Sequence, residues 1–415
     1  MSHTLPAPPV PSASGELSPS LLLLFAAACG LLVANIYYAQ PLIGLIAPDL
    51  GLPDSLAGIV VACAQLGYGV GLLMLVPLAD CVENRRLVLI LLGGVVASLV
   101  AIAASTAAWS FLAATLTLGL CAAAAQILVP LASQLAAPAH RGRVVGNVMA
   151  GLLAGIMLAR PLASVLAQWG GWRAVFVVST VLVCALAVAL GRKLPRRAPQ
   201  AGLSYGAILR SMPGLLARNP LLRRRAFYQA MMFAAFTAFW TATPLLLVEQ
   251  FGFGQYGIAA FALCGAAGAL VAPLAGRLAD RGLTRAGTFG ALACVTLSFA
   301  ATGWAGQAST VLWLALAAIG IDAAVQVCQV LSLRAIFMLA PEQRGRLNAL
   351  FMTSVFVGGA CGSTLAGALY AAYGWHGVAL LGSAFGLAAL ALFATEGRAR
   401  PLPAADGARR QAQSR

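Results

Sequence analysis

Ala137-Pro138-Ala139-His140-Arg141-Gly142-Arg143 returns 203 residues later as Ala340-Pro341-Glu342-Gln343-Arg344-Gly345-Arg346, keeping the Ala-Pro pair and the Arg-Gly-Arg triplet. Outward from this pattern, Gln126 returns at the same offset as Gln329, and Gly171-Trp172 returns as Gly374-Trp375. The chain is an internal duplication. Both copies are basic segments between long apolar runs, and basic loops of membrane proteins stay on the cytoplasmic side. Two copies on one side require each half to cross the membrane an even number of times.

Composition agrees with a membrane setting. With 61% hydrophobic and 9% charged residues among 415, the chain has far more apolar surface than a water-soluble core buries. The net charge of +15 would point to nucleic acid in a soluble protein; here it follows from topology, and no nucleic-acid partner is expected. The nine cysteines stand mostly singly inside apolar runs, without metal-ligand spacing, so neither a disulfide framework nor a metal site is expected. His3, His140 and His376 fall in the tail and loops and add no metal or coupling site.

Twelve spans can be drawn, at 21–47, 55–79, 87–106, 109–136, 144–168, 173–191, 226–248, 256–279, 286–304, 310–339, 347–371 and 377–395. They divide the chain into a disordered tail (1–20), a six-helix bundle (21–191), a basic linker (192–225), a second six-helix bundle (226–395) and a tail (396–415). Of the 26 Lys and Arg residues, 24 fall in or beside the even-numbered connections or in the C-terminal tail, which predicts that both termini are cytoplasmic. Residues 1–20 carry no Lys or Arg and so lack the basic start of a signal peptide. The linker holds nine basic residues and no acid, which reads as a topology signal and surface segment, with binding of anionic lipid headgroups as the alternative. Lys193 is the single lysine, a bias that fits a GC-rich bacterial source and hence a bacterial inner membrane.

Two loops carry a family resemblance. Pro77-Leu78-Ala79-Asp80-Cys81-Val82-Glu83-Asn84-Arg85-Arg86 follows the second span, and Gly276-Arg277-Leu278-Ala279-Asp280-Arg281-Gly282 follows the eighth. Both resemble the GxxxD(R/K)xGRR loop of the major facilitator superfamily. The second copy keeps the Gly, Asp and Arg, whereas the first has Val76 and Cys81 where Gly and a base are usual. In the fifth span, Gly151, Gly155 and Arg160-Pro161 resemble the Gly-rich motif of the superfamily's exporters, with Arg160 in place of the usual Gly before Pro161.

The resemblance implies an all-α membrane protein with the major facilitator fold: twelve transmembrane helices in two pseudo-symmetric halves, most like the bacterial drug and metabolite proton antiporters. It further implies a cytoplasmic gate of Asp80, Arg85, Arg86, Arg141, Arg143, Asp280, Arg281, Arg344 and Arg346, whose charge-assisted bonds close one side in one state. It makes helices one, four, seven and ten the walls of a substrate cavity. Small-residue pairs, Gly67/Gly71, Gly151/Gly155, Gly265/Ala269 and Gly358/Gly362, let helices approach closely, and the resemblance places the four helices that carry them where the halves meet.

Ionisable residues inside apolar spans are expensive and read as functional. Asp322 and Arg160 are the two that lie deep. Asp322, Gln326 and Gln329 share one helix face by their i, i+4, i+7 spacing. Helix one adds Asn35, Tyr38 and Gln40, helix four Gln126, and helix seven Gln229 and Trp240, the last two within a stripe that includes Phe233, Phe236 and Thr243. Asp322 is the candidate for proton coupling, with pairing to Arg160 or direct contact with substrate as competing roles. The function expected is proton-coupled export of a small organic molecule by alternating access. The alternatives are proton-coupled uptake of a small anion held by Arg160, or a non-transporting sensor. No paired carboxylates, nucleophile-base set or phosphate-binding loop occurs, so neither an enzyme, nor a cofactor, nor ATP drive is expected. The expected partners are a small-molecule substrate, protons and lipid, with the chain itself monomeric.

Overall fold

In lipid, a backbone without water satisfies its own hydrogen bonds, and a helix does this within one segment. Every regular element among the described residues is accordingly helical. The structure is a computed structural model that describes residues 18–196, 204–269, 271–304, 310–339 and 343–396. Ala340-Pro341, most of both expected tails and the middle of the expected linker lie outside them.

α1 (Pro19–Tyr37) starts at Ser18, whose hydroxyl accepts the Leu21 N–H, with Pro19 in the first turn. It ends ten residues before the expected limit of 47, because the chain turns through 38–42 around Pro41 and resumes as α2 (Ile43–Asp49). α3 (Ile59–Leu78), α4 (Asn84–Ala104), α5 (Ala108–Ala122) and α6 (Ala124–Leu135) follow, the last two in line as the expected fourth span. α7 (Arg141–Lys193) has 53 residues. The expected linker contains a helix, α8 (Tyr205–Arg218), which buries Ile208 and Met212. α9 (Pro220–Phe251) opens the second half, and α10 (Gln255–Ala269) and α11 (Ala272–Asp280) together cover the expected eighth span. α12 (Thr284–Trp304), α13 (Val311–Phe337) and α14 (Arg344–Ala394) complete the chain.

Nine helical stretches among the described residues are long and apolar enough to cross a membrane. Leu380, Leu297 and Val181 stand 72%, 67% and 63% exposed on their outer faces. Water would penalise such a belt and lipid does not. The molecule is a multi-pass membrane protein.

α7, if straight, would be ~80 Å long against a hydrocarbon core of ~30 Å. It doubles back at Gly171 (φ 70°, ψ 174°), a conformation essentially reserved for glycine. Just past this turn Arg173 donates to the Ser105 carbonyl at the end of α4, while near the far end of α7 Gly191 accepts from Arg85 at the start of α4. α14 reverses in the same way at Gly374 (φ 59°, ψ −150°), the repeat mate of Gly171.

The helices that carry the small-residue pairs line the contact between the halves, while the pairs themselves pack helices inside a half. A Cβ on Gly67 or Gly71 would meet carbonyls of α5, one on Gly151 or Gly155 those of α1, and one on Gly358 or Gly362 those of α9. The halves meet where α3 packs on α14 and α7 on α10, the four helices expected at this contact. Gly58 lies so close to the Ser363 carbonyl of α14 that any side chain there would overlap it. Trp169 Nε1 donates to Tyr256 Oη at 2.6 Å across the same end.

Candidate functional site

A cavity of about 400 Å³ lies between the halves. Its blind end is made by Tyr37, Arg160 and Asp322, and its mouth by Val145, Phe337 and Asn348. The mouth lies within about one helical turn of Arg143 and Arg344 at the starts of α7 and α14; this is called the basic end. α1, α3, α6 and α7 supply one wall and α9, α10, α13 and α14 the other.

At the blind end Arg160 is 4% exposed and Asp322 is 6% exposed. Arg160 Nε donates to Gln40 Oε1 at 2.8 Å, and its guanidinium lies 4.4 Å from the Trp240 ring, 5.0 Å from Phe236 and 5.3 Å from Tyr37. A desolvated cation gains ~2 kcal/mol from such a ring. Arg160 Nη2 is nevertheless buried without a partner. Trp240 Nε1 donates to Asp322 Oδ1 at 2.9 Å. The two deep charges therefore meet through Trp240, whose ring faces Arg160 and whose N–H holds Asp322. Gly265 makes room for this, since a Cβ there would overlap both the indole and Asp322 Oδ2.

Along the cavity, Tyr68, Phe356, Phe233 and Phe236 form an aromatic wall that crosses from one half to the other, with successive ring centres 4.6, 5.2 and 5.3 Å apart. Gln126, Gln326 and Gln329 line the cavity with part of their surface free, and Gln126 Nε2 donates to Tyr68 Oη at 3.2 Å. Among the residues expected to line it, Gln126, Arg160, Asp322, Gln326 and Gln329 do so. Gln40 and Trp240 stand directly behind, holding the two charges. Asn35, Tyr38 and Gln229 lie elsewhere. Asn35 donates to the Leu31 carbonyl and accepts from Ser179 at 2.7 Å, which joins α1 to α7. Gln229 donates to the Val325 carbonyl of α13, and Tyr38 is buried in the core. Tyr37, Tyr68, Asn348, Met352 and Phe356 reach the cavity without having been picked out from the sequence. For Met352 a signal existed, because its repeat mate Met149 is on the opposite wall.

At the basic end, Asp280 pairs with Arg334 at 2.5 Å, both exposed. Arg344 donates to the Phe337 carbonyl, Arg141 to the Ala136 carbonyl, and Arg346 to Ser211 Oγ of α8 at 3.1 Å. Arg85 holds the Gly191 carbonyl, Arg86 borders a surface hollow with Glu83, and Arg143 and Arg281 are exposed. Asp80 is exposed at the surface, yet the protein around it desolvates its carboxyl and pushes it above the usual range, which the Arg346 charge opposes. α8 reaches both halves here, since Tyr205 also donates to the Met74 carbonyl. At the opposite end Arg173 and Trp172 bond Asp49 and hold its carboxyl below the usual range.

Residues 22–338 match the family model described as Major Facilitator Superfamily. The chain belongs to the Major Facilitator Superfamily, and its broad function is transmembrane transport. It is 42% identical over 377 residues to the uncharacterized transporter YgaY of Escherichia coli O157:H7, covering 90% of this chain and 94% of that one. A chloramphenicol resistance protein of Streptomyces lividans is 30% identical over 63% of this chain and 67% of its own length. Among solved structures, a bacterial homologue of the human lysosomal transporter Spinster, in an inward-facing and occupied conformation, superposes with a TM-score of 0.74 at 14% identity, over 94% of this chain and 100% of that one. The nucleoside transporter NupG gives 0.73 at 14% identity, over 90% and 99%. Both share the fold.

Proposed function

We propose that this protein is a secondary active transporter that works by alternating access, exports a small organic molecule and takes up protons in exchange. The reading is carried by the cavity between the halves, which reaches the basic end and stops at Arg160, Trp240 and Asp322. With the basic end cytoplasmic, this conformation receives substrate from inside the cell. The aromatic wall suits a flat or apolar body, and the three glutamines suit its hydrogen-bonding groups. The efflux assignment draws further support from the chloramphenicol resistance protein among its more distant relatives. Asp322 carries the proton and Arg160 is its counter-charge. Asp80, Asp280 and the arginines around them gate the basic end. The protein works as a monomer in the bacterial inner membrane, with both termini cytoplasmic.

Proton-coupled uptake of a small anion is the second reading, and the unpartnered Nη2 of Arg160 favours it. A buried donor without a partner costs ~1–3 kcal/mol, which a carboxylate would recover. An anion on Arg160 and a proton on Asp322 favour one another, so such a substrate would travel with the proton. A susceptibility screen that includes chloramphenicol, run on cells lacking and cells overexpressing the protein, tests the primary reading. Export predicts raised resistance to a defined set of compounds on overexpression. A growth defect on one anionic nutrient in the deletion, with no change in resistance, would favour uptake.

A further inference from the structure

Trp240 stands between two spaces. On one side is the cavity open to the basic end. On the other is a pocket of about 390 Å³ at the Asp49 end, between Gly44 and Leu245 and bordered by Asp54, Glu249 and Tyr370. The gap between them is about 10 Å³ and is lined by Arg160, Trp240, Thr243, Phe261 and the prolines Pro41 and Pro244. It holds at most a single water. Arg160 borders both the cavity and the gap, while Pro41, Pro244 and Ile258 border both the gap and the outer pocket. The three spaces thus lie along one line through the molecule, and this layer separates the cavity from the outer pocket.

The layer contains one pair of repeat mates, Pro41 and Pro244, which face the gap from the two halves. Tyr37, the mate of Trp240 at the same 203-residue offset, lies on the cavity side of the layer. The symmetry breaks at Trp240. Tyr37 stacks near Arg160, as Trp240 does, but Trp240 also donates to Asp322 Oδ1. The charged and titratable groups facing Asp322 are Arg160 from α7 and Tyr37 from α1; α9 presents the Trp240 indole and α10 presents Gly265.

We infer that Trp240 is the positioning residue that ties the charge state of Asp322 to the barrier between the cavity and the outer pocket, and that the outer pocket is the far end of the transport path. The indole N–H bond to an ionised carboxylate holds the ring across the gap; neutralising the carboxylate weakens that bond and frees the ring. The inference rests on the reading of Asp322 as the proton carrier, and it holds for either direction of substrate movement.

The test places Leu245→Cys in the outer pocket and measures its labelling by a membrane-impermeant maleimide at one fixed pH, with the parent protein's native cysteines as the blank. Trp240→Phe keeps an aromatic ring and removes the donor; Asp322→Asn removes the charge. Both are expected to raise labelling roughly tenfold, the population shift that follows loss of a hydrogen bond to a charged group. Labelling unchanged by Trp240→Phe but raised by Asp322→Asn would overturn the role of Trp240 and leave the reading of Asp322 intact. Labelling unchanged by Asp322→Asn but raised by Trp240→Phe would overturn the link to Asp322. If neither variant alters labelling, the inference is overturned. If Trp240→Phe does not elute as a folded monodisperse protein, Trp240→Tyr, whose hydroxyl lies off the indole N–H position, carries the same expectations.

Discussion

At the level of single residues, the site depends on a glycine as much as on its charges. Gly265 leaves room for the Trp240 indole and Asp322 Oδ2 in the same place. Gly265→Ala is therefore expected to displace the indole and lower transport at least ~10-fold, the effect of losing one charge-assisted bond, while the protein still elutes as a folded species. Wild-type flux in that variant would show that the Trp240–Asp322 bond is not needed. The sequence made Asp322 and Arg160 legible because buried ionisable groups in apolar runs are rare. It did not make Tyr37 legible against Tyr38. Adjacent residues on a helix differ by about 100° in direction, and two tyrosines have equal polarity, so composition cannot choose the one that faces the cavity. Asn35 and Gln229 misled for a related reason: a polar side chain in a span signals a hydrogen bond, and Asn35 satisfies it with its own helix and α7, Gln229 with α13.

Among the elements, the two long helices carry the duplication into three dimensions. Gly171 and Gly374 both adopt positive φ, and Trp172 and Trp375 after them are both buried. Gly171→Ala and Gly374→Ala are each expected to cost ~1–3 kcal/mol, the strain of placing a Cβ in a glycine-only region. Thermal unfolding in detergent reads this, and an unshifted midpoint in either would contradict the turn geometry. Length and apolarity were enough to locate these spans, and the repeat was enough to pair them. The small-residue pairs were legible as close contacts but not as to partner, because spacing along one helix does not say which neighbour it meets. The α8 helix was hidden by its charge and by Pro213, which made the segment read as an irregular linker, although burial of Ile208 and Met212 anchors it.

On the scale of the whole molecule, the two halves share a framework and differ in their interior. Gln126 and Gln329 reach the same cavity from opposite walls, as do Met149 and Met352. Asp322 has Gly119 as its mate and Arg160 has Ser363, so each deep charge belongs to one half alone. A rocking motion of one half against the other would separate or rejoin them at each cycle, with the Trp169–Tyr256 bond and the Gly58–Ser363 contact closing the far end in the present conformation. The measurement that tests this account most directly is flux into proteoliposomes under an imposed pH gradient, using radiolabelled chloramphenicol or a compound found in the resistance screen. Wild-type protein is expected to accumulate the compound when the lumen is acidic. Asp322→Asn is expected to lose this response while retaining exchange of labelled for unlabelled compound without a gradient. Gradient-driven accumulation by Asp322→Asn equal to that of the wild type would contradict the proton-carrying role of Asp322.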